Sequence, residues 1–153
     1  MKHRRLFQEL ETMEYKLGKI DAAVDQIDWA IRLLIDHQAY VPAITLAAAA
    51  EEITGAPLGE NASFHLLKKN LSEKYKLSSS VVSQAHLNRA RNWLKHWTDM
   101  KDNEYEDFDL EAEAVQNIVR AITNLSSHDQ TLTSESPRFL EWLATHERFK
   151  EGF

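Results

Sequence analysis

The sequence predicts an all-α protein, a bundle of about five to six helices around an up-and-down core. Three observations predict it. Apolar residues recur at three- and four-residue spacing along most of the chain, and no segment alternates as a strand would. Glycine (4) and proline (3) are too scarce for a turn-rich fold. Ser, Asp or Asn stands before most periodic runs, where a helix cap is needed. The chain has 153 residues, one domain's worth and enough to bury a sizeable core. The expected organisation is a single helical domain over 1–153. Residues 1–19 form its N-terminal segment, and 127–153 a linker plus a C-terminal helix packing on the bundle.

Residues 1–17 carry a weak stripe of Leu6, Leu10, Met13 and Leu17, ended by Gly18. Residues 20–37 carry a strong one, with Ile20, Ala23, Val24, Ile27, Ile31 and Leu34 on one side and Asp25, Asp28, Arg32 and Asp36 on the other. In YVPAITLAAAAEEITGAP, Pro42 suits the first helical position and Gly55 the residue past the end. The alanines give that helix a slim surface, so a neighbour can approach closely. Glu51 and Glu52 lie on it, either at a solvated edge or facing polar residues of the fourth helix. A third helix follows in SFHLLKKNLSEKY, with Asn61 or Ser63 as its cap. Ser80 is placed to cap the fourth, VVSQAHLNRARNWLKHW. Asp109 caps a fifth, whose stripe is Leu110, Ala114, Ile118, Ala121, Ile122 and Leu125. Ser136 caps the last, which begins at Pro137 and shows Phe139, Leu140, Leu143 and Phe149 to the core.

Composition excludes several functions. There is no cysteine, so thiolate and disulfide chemistry are impossible. The basic start MKHRRLFQEL lacks an apolar run behind it and does not read as a secretory signal. No apolar run approaches the roughly 18–20 residues of a membrane span. A cytoplasmic protein without membrane contact is expected. The net charge of −6 gives no overall pull toward nucleic acid. No histidine has an acid three residues before it, and no His-Glu-x-x-His occurs, so no metal site is expected. Glycine-rich phosphate loops and a Gly-x-Ser-x-Gly elbow are also missing, and no cofactor is expected.

The fourth helix holds the constellation with a mechanism. On a straight helix, Val82, Leu87, Ala90, Trp93, Leu94 and Trp97 fall in one arc of about 140°, and His86 falls inside it. Gln84, Asn88, Arg89, Arg91, Asn92, Lys95 and His96 occupy the remaining, polar arc. Asn92 and His96 are four apart and can meet on the surface. Arg91 and His96 sit near opposite borders of the polar face, so one copy would not close on a single small atom. Two copies related by a two-fold axis would.

The stretch RNWLKH, Arg91 to His96, resembles the signature of HEPN domains (higher eukaryotes and prokaryotes nucleotide-binding). That signature is an Arg, often followed by a polar residue, and a His after four to six intervening positions. Arg91, Asn92 and His96 match it. Spacing alone is a weak criterion, because Arg32–His37 and Arg89–His96 also satisfy it. The Asn after Arg91 and the polar setting set the third pair apart. The resemblance implies an all-helical bundle, and for many members a metal-independent endoribonuclease of toxin–antitoxin, abortive-infection or RNA-processing systems. It implies a homodimer, here through the helix around 81–97, with Arg and His of both copies at the interface. Other members are binding or scaffolding modules without activity.

Such cleavage needs no metal. The RNA 2′-hydroxyl attacks the adjacent phosphate, with proton transfer and stabilisation of the developing charge. His96 is the expected acid or base, its ordinary pKa lying near ~6.5. Arg91 would hold the scissile phosphate, and Asn92 would orient His96 or bond a phosphate oxygen. Arg89 and Lys95 would attract the RNA backbone, and Trp97 would stack a base or join the core. The same residues also fit the wet face of a packed helix. The run from Asp99 to Glu113 holds eight acids against one lysine. It would repel RNA unless it points away, or it would dock a basic protein partner such as an antitoxin.

Overall fold

The computed structural model describes residues 13–96, 104–128 and 132–151, apart from the side chains of 84–86. Those residues are helical or irregular, with no strand among them. The order is α1 (Lys19–His37), α2 (Tyr40–Gly55), a 3₁₀ segment (Ala56–Asn61), α3 (Ser63–Tyr75), α4 (Ser79–Val81), a π-helical turn (Val82–Leu87), α5 (Arg89–Lys95), α6 (Leu110–Ser126) and α7 (Ser136–Thr145).

Helix α2 is the hub, packed against α1 on one side and α6 on the other. Its alanines explain this. Ala43, Ala47, Ala48 and Ala50 are fully buried, so both neighbours approach α2 closely. From α1 come Ala23, Ile27, Ala30, Ile31 and Leu34, and from α6 Ala114, Val115, Ile118, Ala121 and Leu125. Truncating a fully buried Ile such as Ile27 or Ile31 to Ala would cost about 2–5 kcal/mol. Helix α7 closes this core with Phe139, and Phe149 follows just beyond its end. No described helix is long and apolar enough to cross a membrane.

Several expectations need correction. Residues 13–18 are not helical, and Met13 and Leu17 are exposed; the rest of the expected N-terminal helix lies outside the described residues. Gly18 starts α1 rather than ending a helix, and its N–H donates to Asp21. Asp28 is buried, not solvated, because it accepts from Ser134 Oγ (2.7 Å) and the Glu135 N–H (3.0 Å) and so ties the segment before α7 to α1. The N-cap position of α3 is Ala62, not Asn61 or Ser63, and a distant side chain does the capping: Asn124 Oδ1 takes the Ser63 N–H at 2.8 Å. Ser136 is the first residue of α7, not its cap. Leu140 faces out. Asp109 does cap α6, accepting from the Ala112 N–H at 3.1 Å.

The largest departure is the fourth helix. It is not one straight rod capped by Ser80. Ser78 caps α4, accepting from the Val81 N–H at 3.2 Å. The backbone then widens into a π-helical turn, in which the Asn88 N–H reaches back five residues to Ser83 O at 2.9 Å. Asn88 leaves helical geometry, and α5 restarts for only seven residues. A π turn inserts extra arc, so the faces drawn for a straight helix no longer apply. Arg91 rotates into the protein and is buried, while Trp93 is 38% exposed. Trp97 lies outside the described residues.

Candidate functional site

Glu51 and Glu52 fall in the last turns of α2, where the helix dipole disfavours anions. Cations from two other helices compensate them. Arg91 Nη1 donates to Glu51 Oε2 at 2.9 Å, and Arg91 Nη2 pairs with Glu52 Oε1. Arg120 Nη2 on α6 approaches the same Glu51 Oε2 at 3.4 Å and donates to Asn117 Oδ1 at 3.0 Å. Glu51, Arg91 and Arg120 are 3%, 7% and 4% exposed. A buried triad of this kind holds only while every member is present, since removing one partner strands a desolvated charge. Burial pushes the Arg120 guanidinium below its usual range, with Glu51 opposing that shift.

Asn124 ties the same corner together. Its Nδ2 donates to the Glu51 carbonyl at 3.3 Å while its Oδ1 caps the first turn of α3. Gly55 makes room for it, because a Cβ there would lie 2.9 Å from Asn124 Nδ2. Above this corner opens a cleft of about 290 Å³, whose walls include Glu52, Gly59, Phe64, His65, Asn88 and Arg91.

The residues singled out in the sequence divide into two groups. Arg91 and Lys95, one turn apart on α5, both reach Glu52 Oε1, with Lys95 Nζ at 3.7 Å. The Glu52 side chain is 59% exposed, so this carboxylate marks an anion position at the surface, flanked by two cations. Asn92 and His96 are exposed and do not line the cleft. His96 has already left the helix with extended backbone, its N–H donating to Asn92 O at 3.1 Å. Arg89 pairs with Glu106 and lies 5.1 Å over the Phe108 ring, which in turn meets Trp93 edge-on. This end of the acidic segment therefore folds back onto α5 rather than pointing away; 97–103 lie outside the described residues.

Sequence reasoning weighed Glu51 and Glu52 but missed Arg120, Asn117 and Asn124. Their signal was present. Glu113, Asn117, Arg120 and Asn124 recur at four, three and four residues along α6, a polar stripe beside the apolar one. His65 was also missed, and it is the imidazole that shares the cleft with Arg91. Among the described residues no group of three or more His, Asp or Glu side chains is placed to hold a metal ion. Comparison with protein-family models, curated proteins and solved structures finds no match.

Proposed function

We propose that this chain is a metal-independent endoribonuclease of the HEPN type, working in the cytoplasm as a homodimer through the α4–α5 region in a toxin or defence role. One observation carries the reading. Arg91 and Lys95 converge on a single oxygen of the half-exposed Glu52 side chain, and a phosphodiester oxygen offers the same negative, hydrogen-bond-accepting surface. RNA that displaces Glu52 would be held there by both cations. The 2′-hydroxyl loses its proton to an imidazole and attacks phosphorus, and the 5′-oxygen leaves with a proton. The products are a 2′,3′-cyclic phosphate and a 5′-hydroxyl. His96 is assigned the proton transfers and Asn92 its orientation. Because His96 stands outside the cleft that holds Arg91, this reading requires a second copy to complete the site.

A second reading, a non-catalytic helical module that binds a protein or nucleotide, has its own support. Arg91 is buried between two carboxylates and Arg89 is engaged by Glu106, so two of the expected RNA contacts are already neutralised. The two readings separate in one assay. Single-stranded and structured RNA are incubated with the protein in EDTA, beside Arg91→Lys and His96→Ala. Cleavage that ends in cyclic phosphate and disappears in His96→Ala supports the nuclease. Absence of cleavage, or cleavage unchanged in both variants, favours the binding module.

A further inference from the structure

In-line displacement at phosphorus puts the attacking 2′-oxygen and the leaving 5′-oxygen on opposite sides of the phosphate. One imidazole cannot stand on both sides at once, so His96 of a second copy leaves one of the two proton transfers unassigned. The cleft that holds Arg91 is the place to look for the other carrier.

Four ionisable side chains line that cleft: Glu51, Glu52, His65 and Arg91. Glu51 is buried and engaged by two guanidiniums. A guanidinium does not exchange its proton in a protein, which sets Arg91 aside. Glu52 occupies the position that a phosphate would take. His65 remains. It is exposed, and its ring meets Phe64 edge-on at 5.3 Å. Among the described residues it has no hydrogen bond or ion pair, so both ring nitrogens are open to a ligand.

The backbone beneath this imidazole is firmly held. His65 is the third residue of α3, and that first turn is fastened to α6 twice. The Ser63 N–H donates to Asn124 Oδ1 at 2.8 Å, and Ser63 Oγ donates to the Arg120 carbonyl at 3.1 Å. Asn124 also donates to the Glu51 carbonyl. The turn that carries His65 and the helix end that carries Glu52 therefore share one anchor, which fixes the imidazole's place beside the anion position.

We propose that His65 is the second proton carrier of this site, acting across the phosphate from His96 of the second copy; the proposal rests on the nuclease reading. One imidazole takes the proton of the 2′-hydroxyl as that oxygen bonds to phosphorus. The other, protonated beforehand, gives its proton to the 5′-oxygen as the bond from phosphorus to that oxygen breaks. No further reactant is needed, and each imidazole ends in the other's starting state.

The test compares wild type with His65→Ala on a single-stranded RNA in EDTA, with kcat from cleavage and affinity from anisotropy. The exposed position of His65 leaves the fold unaffected. In His65→Ala, kcat should fall about 10²–10⁴-fold, the usual worth of a positioned proton carrier, with affinity within about twofold of wild type. Imidazole added to the buffer should restore part of the rate to His65→Ala without speeding the wild type. A purely structural or phosphate-binding role would not respond to it. The proposal is overturned if His65→Ala cleaves as fast as the wild type, if its lost rate is matched by lost affinity, or if imidazole does not raise its rate. The first of these results leaves the nuclease reading standing. A wild type that cleaves no RNA overturns that reading and this proposal together.

Discussion

Arg91 Nη1 and Glu51 Oε2 meet at 2.9 Å across the α5–α2 contact, both almost completely buried. This bond gives the residue expected to grip RNA a structural role as well. It also anchors a seven-residue helix that has few other ties to the hub.

Glu51 is the least replaceable member of the cluster. Glu51→Ala leaves Arg91 and Arg120 facing each other without their shared carboxylate, and should cost about 3–5 kcal/mol. Urea unfolding measures it. A loss below about 1 kcal/mol, the worth of an exposed pair, would show that the cluster is solvated. For the same reason Arg91→Lys is a better probe of activity than Arg91→Ala, since it retains the charge beside Glu51.

Gly55 is required by a close approach rather than by its backbone angles, which are ordinary helical ones. Gly55→Ala should destabilise by about 1–3 kcal/mol, the usual range for an overpacked site, because the new methyl meets Asn124 Nδ2. Asn124→Ala should relieve that clash, so the double variant should lose less than the sum of the two single ones. Strict additivity in a double-mutant cycle would refute the contact.

Asp28 fastens the segment before α7. Asp28→Ala removes the acceptor for Ser134 Oγ and the Glu135 N–H. It should cost about 1–3 kcal/mol, and amide exchange should speed up over 133–145 more than elsewhere. Uniform exchange across the chain would contradict this local role.

Glu113 supplies a pH signature. Its folded-state pKa is raised, chiefly by burial, so ionising it weakens the fold. The stability linked to it is complete below its unfolded value and fades as pH rises through the folded one. Glu113→Gln should therefore raise Tm at pH 7 by about 1–3 °C and by less near pH 4. An equal effect at both values would rule out the linkage. Asp109 runs the opposite way. Its hydrogen bond to Arg148 lowers its pKa, so its contribution is present at neutral pH and is lost as acid protonates it.

Much of the bundle was legible in the sequence, because a 3.6-residue apolar period says which faces must be covered. The stripes of α1 and α6 were read directly, as was the Asp109 cap. The alanine run correctly implied a helix that neighbours approach closely. What the pattern could not convey was the π turn at 82–87. A widened turn leaves no compositional mark, yet it rotates everything after it, and it turned Arg91 from an expected wet face into the interior. The buried polar cluster was hidden for a related reason. Asn117, Arg120 and Asn124 look like a solvated face until Glu51 is known to sit opposite. The three members of the Arg91–Asn92–His96 motif separate, with Arg91 inside and the other two at the surface.

The central claim is that the carboxylate of Glu52 stands where an RNA phosphate would sit between Arg91 and Lys95. It is tested most directly by the affinity for a fluorescently labelled single-stranded RNA in EDTA at fixed low salt. Wild type, Glu52→Gln and Lys95→Ala are compared by anisotropy. Removing the competing charge in Glu52→Gln should tighten binding by about three- to tenfold, and Lys95→Ala should weaken it, with a shallower dependence on salt. Unchanged affinity in Glu52→Gln, or no RNA binding by any of the three proteins, would contradict the account.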